Sequence, residues 1–110
     1  MPDDALLRDL ALLRGAYREK LPGLLADLAA LLPEPGAADE EARWEEAHRL
    51  AHRVKGTSGS YGFRRLSGEL QRLEDALEQL LRAASPRPEA LRAEVEHALG
   101  TARDGLMEPE

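Results

Sequence analysis

Leucine and alanine recur at intervals of three and four residues along most of the chain, the spacing that places apolar side chains on one face of an α-helix. Four such stripes are separated by short runs rich in proline, glycine or serine. In chain order they are formed by Leu21, Leu24, Leu28 and Leu31, by Ala47, Leu50, Ala51 and Val54, by Leu66, Leu70, Leu73, Leu77 and Leu80, and by Leu91, Val95, Leu99 and Ala102. Amphipathic stripes with short connections predict an all-α fold, an antiparallel four-helix bundle.

Further leucines, from Leu6 to Leu13, precede the first stripe, and Gly15 and Pro22 interrupt the pattern. Such an interruption occurs in one kinked helix, or where a short helix is followed by a longer one. The expected fold is therefore a four-helix bundle with an additional N-terminal helix that lies across one end or extends it.

The next helices are expected over residues 39–60 and from about 63 to 83. Ser85 followed by Pro86 is typical of an N-cap and the first position of a last helix. A chain of 110 residues can bury one modest core. We expect a single domain, 1–110, with its core between about residues 17 and 104.

Composition narrows the class of protein. The chain has no cysteine, which excludes disulfides and thiolate chemistry. Its net charge of −6 argues against nucleic acid as the main partner. No apolar run is long enough to span a membrane, and the start lacks the basic residues of a signal peptide. These features predict a cytoplasmic protein, and the start at Met1-Pro2 with a polar end favours a free-standing one.

One histidine stands in an unusual helical context. The segment reads His52-Arg53-Val54-Lys55-Gly56-Thr57-Ser58-Gly59, and a glycine inside a helix costs up to about 1 kcal/mol relative to alanine. On a helical wheel of about 100° per residue, His52 lies roughly 130° from the centre of the apolar face. We expect an exposed imidazole bordered by a lysine and by bare backbone, a histidine that a partner protein can reach.

Two more side chains are predicted to lie beside this imidazole. Only Lys20 and Lys55 are lysines among the 15 basic residues, and Lys55 is one helical turn from His52. If the second and third helices form a hairpin about residue 63, His52 and Glu74 lie at the same level. A carboxylate there can accept a hydrogen bond from Nδ1–H and leave Nε2 as the free nucleophile.

These residues resemble a known signature. The pattern His52-x-x-Lys55-Gly56-Thr57-x-Gly59-x-x-Gly62-Phe63 is similar to that of the histidine-containing phosphotransfer (HPt) domains of bacterial two-component phosphorelays. The resemblance extends from Tyr17 to about Leu81. It implies a phosphocarrier, and not an enzyme, that passes a phosphoryl group between a histidine and the aspartates of receiver domains.

The resemblance also implies the roles of individual residues. His52 would be the phosphoacceptor, Lys55 the positive group that assists transfer, and Gly56 the residue whose missing side chain lets a receiver approach. The surface expected to meet partners comprises Gly56, Gly59, His48, Arg53 and Gln71. Expected partners are receiver domains and an upstream sensor kinase, with no nucleic acid and no membrane. No cofactor or metal is expected on this chain, because Mg²⁺ belongs to the partner, and the family implies a monomer.

Glu74 departs from the commonest form of the signature. Many phosphorelay members have glutamine there, whereas a glutamate resembles the phosphotransfer domain of chemotaxis histidine kinases, as do Gly59, Gly62 and Phe63. A chemotaxis-type domain is therefore an alternative origin for this chain.

Two other classes of protein remain as alternatives. In a non-catalytic helical adapter the glycines would only permit close helix packing, and His52→Gln would leave the function intact. In a metal-binding bundle, His48 and His52 would be an i, i+4 ligand pair, but the nearest carboxylate in sequence on that face is Glu45 and no H-E-x-x-H motif is present.

Overall fold

The computed structural model describes residues 3–84 and 86–106, and over these residues it consists of helices and their connections. The described residues form four helices: α1 Asp3–Leu31, α2 Glu40–Ser60, α3 Arg64–Arg82 and α4 Glu89–Gly105. α1 contacts α2 and α4, and α3 contacts the same two helices from the other side. Because the connections are short, sequential helices run antiparallel. The predicted all-helical, four-helix architecture is confirmed.

All four helices bury their predicted stripes against one another. Such a stripe is stable only when it packs on a partner, since an isolated helix of this length is marginal in water. The largest fully buried side chains are Trp44, Phe63, Leu21, Leu25, Leu28, Leu70, Leu73, Leu77, Leu80 and Val95. The core therefore lies between α2 and α3, with α1 and α4 closing its two sides.

The prediction of an additional N-terminal helix is wrong for the described part of the chain, since residues 3–31 form one continuous α1 with Pro22 inside it. A proline removes one backbone donor, here the bond from residue 22 to the carbonyl of Arg18. Pro22 is exposed, so water can reach that carbonyl. Leu21 and Leu25 on either side are both buried in the core, which holds the two halves of the helix together.

The N-terminal third of α1 extends beyond the bundle. Each leucine of this segment is between 48% and 72% exposed; they are Leu6, Leu7, Leu10, Leu12 and Leu13. The first fully buried side chain of α1 is Leu21, and the described residues span 59 Å along their longest axis. Within residues 3–84 and 86–106, none of the helices combines the length and the apolar character that a lipid bilayer requires.

The α2–α3 turn fixes the register of these two helices. Gly62 has φ +83°, a left-handed conformation that favours glycine. Its N–H donates to the carbonyl of Gly59 at 3.0 Å, and the Phe63 N–H donates to that of Ser58 at 2.9 Å. This is a Schellman motif, which ends α2 and reverses the chain. The ring of Phe63 is then buried, 2% exposed, at the start of α3.

The last helix begins later than predicted. α4 starts at Glu89, preceded by Pro88 in an extended conformation, φ −58° and ψ 139°. The prediction of a first helical residue at Pro86 is wrong because a residue before proline is disfavoured in the helical region, which excludes Arg87. The guanidinium group of Arg87 donates to the Leu80 carbonyl and to Glu41, which holds this connection against α2 and α3. Ser85 lies outside the described residues.

Candidate functional site

His52 lies on the outer surface of α2. Its side chain is 66% exposed, whereas the opposite face of the same helix is buried through Ala47, Leu50, Ala51, Val54 and Ser58. The helical wheel placed it there from the sequence alone. Apolar residues at the core positions therefore decide that the imidazole faces solvent.

One carboxylate holds the imidazole from the neighbouring helix. His52 Nδ1 lies 2.7 Å from Glu74 Oε1, and Glu74 on α3 is only 5% exposed. A carboxylate accepts, so Nδ1 carries the proton and Nε2 keeps its lone pair. Among the described residues, none bonds to Nε2. The predicted hydrogen bond is thus present, and it directs the free ring nitrogen to solvent.

Lys55 contacts the same carboxylate. Its Nζ lies 2.7 Å from Glu74 Oε2 and donates to Gln71 Oε1 at 2.9 Å. Gln71 in turn donates to Asp75 Oδ1 at 2.9 Å. The ammonium group is thereby held one turn from His52 by two side chains of α3, and its side chain is 22% exposed.

Glu74 remains ionised in this setting. Burial raises the pKa of Glu74, but the hydrogen bonds from Lys55 and His52 and the positive charge of Lys55 outweigh burial and leave its pKa below the usual value of 4.5. A fixed negative charge therefore lies behind the imidazole at neutral pH. Such a charge stabilises any positive charge that develops on the ring.

The glycines of the segment have different structural positions. A Cβ at Gly56 would meet no atom within 4 Å, so packing within this chain does not require glycine there. A Cβ at Gly59 would lie 3.3 Å from Ser67 Oγ, so this glycine lets α3 approach α2 closely. Gly56 leaves open backbone next to His52, and Gly59 leaves room for the side chain of Ser67 on α3.

His48 and Arg53 lie on different flanks of the imidazole. His48, one turn before His52, has its Nε2 3.3 Å from Glu78 Oε1 and 4.0 Å from Glu74 Oε1. Arg53 is exposed and lines a shallow hollow between α1 and α2 with Lys20 and Thr57. The structure therefore brings His48, Lys55, Gln71 and Glu74 together around His52, while Arg53 lies on the flank of α2 that faces α1.

Glu78 and Asp75 are neighbours that the sequence analysis did not name. The position of Glu78 could have been predicted from the sequence, because the hairpin centred on residue 63 pairs four residues of α2 with four of α3. These pairs are His48 with Glu78, His52 with Glu74, Lys55 with Gln71, and Gly59 with Ser67, and all are in contact or hydrogen-bond range. Only the second pair was drawn from the sequence.

The arrangement is that of an accessible nucleophile with an oriented ring and a nearby cation. The comparison with known families agrees with it: the model of the Hpt domain matches residues 12–105. No curated protein and no solved structure gives a significant match. Hpt domains are helical bundles that take part in phosphotransfer in two-component signalling, where they interact with receiver domains and kinases. Because the match covers most of its length, the chain belongs to the Hpt domain family.

Proposed function

We propose that this chain is a phosphocarrier of a two-component phosphorelay, with His52 as the residue that accepts and donates the phosphoryl group. The observation that carries the proposal is the pairing of an exposed Nε2 with a 2.7 Å hydrogen bond from Nδ1–H to Glu74. That pairing prepares one ring nitrogen for attack and fixes its direction.

The transfer step can be written with its atoms balanced. The Nε2 lone pair forms the N–P bond as the bond from phosphorus to the receiver's aspartate oxygen breaks, and the aspartate leaves as a carboxylate. Nδ1 keeps its proton, so the phosphorylated ring is cationic. Glu74 stabilises this cation at hydrogen-bond distance, and the reverse step returns the phosphoryl group to an aspartate.

Lys55 supplies local positive charge to the same step. The phosphoryl group carries negative oxygens, and an ammonium group one turn away can contact them by rotating about its flexible stem. In the resting structure Lys55 is held by Glu74 and Gln71. The proposal assigns Mg²⁺ and the remaining catalytic groups to the partner, so this chain needs no cofactor of its own.

The partner is proposed to dock over the exposed backbone at Gly56, where no side chain stands between it and His52. His52, Lys55 and Glu74 all come from α2 and α3 of one chain. A second copy is not needed to complete the site, so the proposed carrier works as a monomer.

Transfer from phosphorylated receiver domains tests the proposal. We expect one acid-labile phosphate per chain, mapped by mass spectrometry to His52, and no uptake by His52→Gln. His97→Gln, which changes an exposed histidine on α4, is the matched control and should accept phosphate at the wild-type rate. Uptake by His52→Gln equal to that of the wild-type protein would overturn the assignment.

A further inference from the structure

Two histidines on α2 face two glutamates on α3. His48 and His52 are one turn apart on one helix, and Glu74 and Glu78 are one turn apart on the other. His48 Nε2, a Glu74 oxygen and a Glu78 oxygen lie within 4.8 Å of one another. Imidazole nitrogen and carboxylate oxygen, supplied by residues on facing helices, are a common ligand set for divalent metals in helical bundles.

The distances are close to those that a metal would impose. His48 Nε2 and Glu78 Oε1 are 3.3 Å apart. Two ligands of a tetrahedral Zn²⁺ with bonds of about 2.0–2.2 Å are separated by roughly 3.3–3.6 Å. His48 Nε2 and Glu74 Oε1, at 4.0 Å, need only a small side-chain adjustment to reach that separation. Two carboxylates also balance the charge of a divalent ion.

The same glutamate oxygen already has a role at the phosphoacceptor. Glu74 Oε1 accepts the His52 Nδ1–H bond, while Oε2 contacts Lys55. A metal on Oε1 would compete with Nδ1–H for the lone pairs of that oxygen and would offset its negative charge. The contact that fixes the tautomer of the imidazole and compensates its charge after phosphorylation would then be weakened.

We propose that His48, Glu74 and Glu78 form a Zn²⁺-type transition-metal site whose occupancy slows phosphorylation of His52. The effect on His52 phosphorylation rests on the proposed phosphocarrier function. The site selects ions that accept imidazole, such as Zn²⁺, over Mg²⁺ and Ca²⁺, which prefer oxygen ligands alone. The fourth position is open to water.

Calorimetric titration with ZnCl₂ in a non-chelating buffer at pH 7 tests the site itself. We expect one Zn²⁺ per chain, with the affinity reduced about tenfold or more in Glu78→Gln and His48→Ala. His97→Ala, which removes a histidine outside the cluster, should bind as the wild-type protein does, and MgCl₂ should give no binding. Unchanged affinity in Glu78→Gln, or lost affinity in His97→Ala, would overturn the site.

Labelling by phosphoramidate, a small phosphoryl donor, tests the link to His52. Saturating Zn²⁺ should slow labelling of the wild-type protein at least fivefold, with recovery on adding EDTA. Glu78→Gln should label at the wild-type rate without Zn²⁺ and should need at least about tenfold more Zn²⁺ for the same slowing, which also controls for Zn²⁺ bound by the donor. Bound Zn²⁺ without slower labelling would refute the competition. If no histidine labels even without metal, the phosphocarrier proposal fails, whereas the calorimetry still decides the metal site.

Discussion

At the scale of the residue, the carboxylate of Glu74 connects the parts of the site. It accepts Nδ1–H of His52 on one oxygen and contacts Lys55 on the other, each at 2.7 Å. Because Glu74 is only 5% exposed, its carboxylate depends on these two partners more than on water. The charge state of this one side chain therefore bears on both the stability of the α2–α3 pair and the reactivity of the imidazole.

Replacing Glu74 with glutamine should lower the free energy of unfolding at pH 7 by about 1–2 kcal/mol, because Lys55 loses a charged partner. The effect should depend on pH. Burial raises the pKa of Glu74, but Lys55 and His52 bring its pKa below the ordinary value of 4.5. A depressed pKa gives stability that is present above that value and is lost as the pH falls through the folded-state pKa.

Urea unfolding of the wild-type protein and Glu74→Gln from pH 7 down to pH 3 measures this dependence. The difference between the two proteins should shrink as the pH falls below 4.5. A difference that stays constant down to the lowest pH at which the protein folds would contradict the ion pair.

Lys55→Ala should slow phosphoryl transfer from a receiver about tenfold, the loss of one charge-assisted contact in the transition state. Lys55→Arg, which keeps the charge, should retain more activity than Lys55→Ala. Rapid-quench transfer assays on the three proteins compare the rates. Equal rates for wild-type and Lys55→Ala would show that this ammonium group does not act on the phosphoryl group.

At the scale of the element, two helical glycines allow a matched experiment. Gly56 on α2 and Gly68 on α3 are both exposed, and a Cβ at either would meet nothing within 4 Å. Gly56→Gln and Gly68→Gln should each stabilise the fold by about 0.5 kcal/mol through helix propensity, as measured by urea unfolding. Only Gly56→Gln should weaken transfer from a receiver, because it places a side chain beside His52.

Two results would contradict this account of Gly56. If Gly56→Gln destabilised the protein, the glycine would have a packing role that the open space around it excludes. If both variants accepted phosphate from the receiver at the wild-type rate, the partner would not approach over this backbone.

The α2–α3 hairpin also shows how much of the site could be predicted from the sequence. The helical wheel and a centre at residue 63 were enough to place His52 opposite Glu74, because the Gly62 turn fixes the register. The same rule pairs His48 with Glu78, a pair that was not predicted from the sequence. Nothing local in sequence marks Glu78, since its significance arises from the facing helix.

At the scale of the whole molecule, the stripes predicted the bundle, but two features of its helices were predicted incorrectly from the sequence. Pro22 is a helix breaker by local propensity, yet core packing of Leu21 and Leu25 overrides it within α1. Ser85-Pro86 satisfies the local rule for a helix start, but Pro88 delays α4 until Glu89. Core packing therefore overrides the local signal at Pro22, whereas a second proline overrides the local signal at Ser85-Pro86.

The N-terminal extension of α1 should contribute little to stability. Its leucines are exposed, and the family match begins at residue 12. Deleting residues 1–12 should change the free energy of unfolding by less than about 0.5 kcal/mol, because few buried contacts are lost. Arg14→Ala is the contrasting variant. Arg14 donates to the Tyr61 carbonyl at 2.9 Å and lies over the Phe63 ring at 4.0 Å.

Arg14→Ala should therefore cost about 1–2 kcal/mol, more than the deletion of the whole segment before it. Chemical denaturation of both variants gives the comparison. A deletion that destabilises the protein by more than Arg14→Ala would show that the extension packs on the bundle.

His52 should be more nucleophilic than the other histidines of the chain, and phosphoramidate labelling measures this without any partner. The purified protein is incubated with the donor, and acid-labile phosphate is mapped by mass spectrometry as a function of time. We expect His52 to label faster than His48 and His97, and Glu74→Ala to remove this preference. Equal, slow labelling of all three histidines would show that the hydrogen bond to Glu74 confers no special reactivity, and would contradict the phosphocarrier assignment.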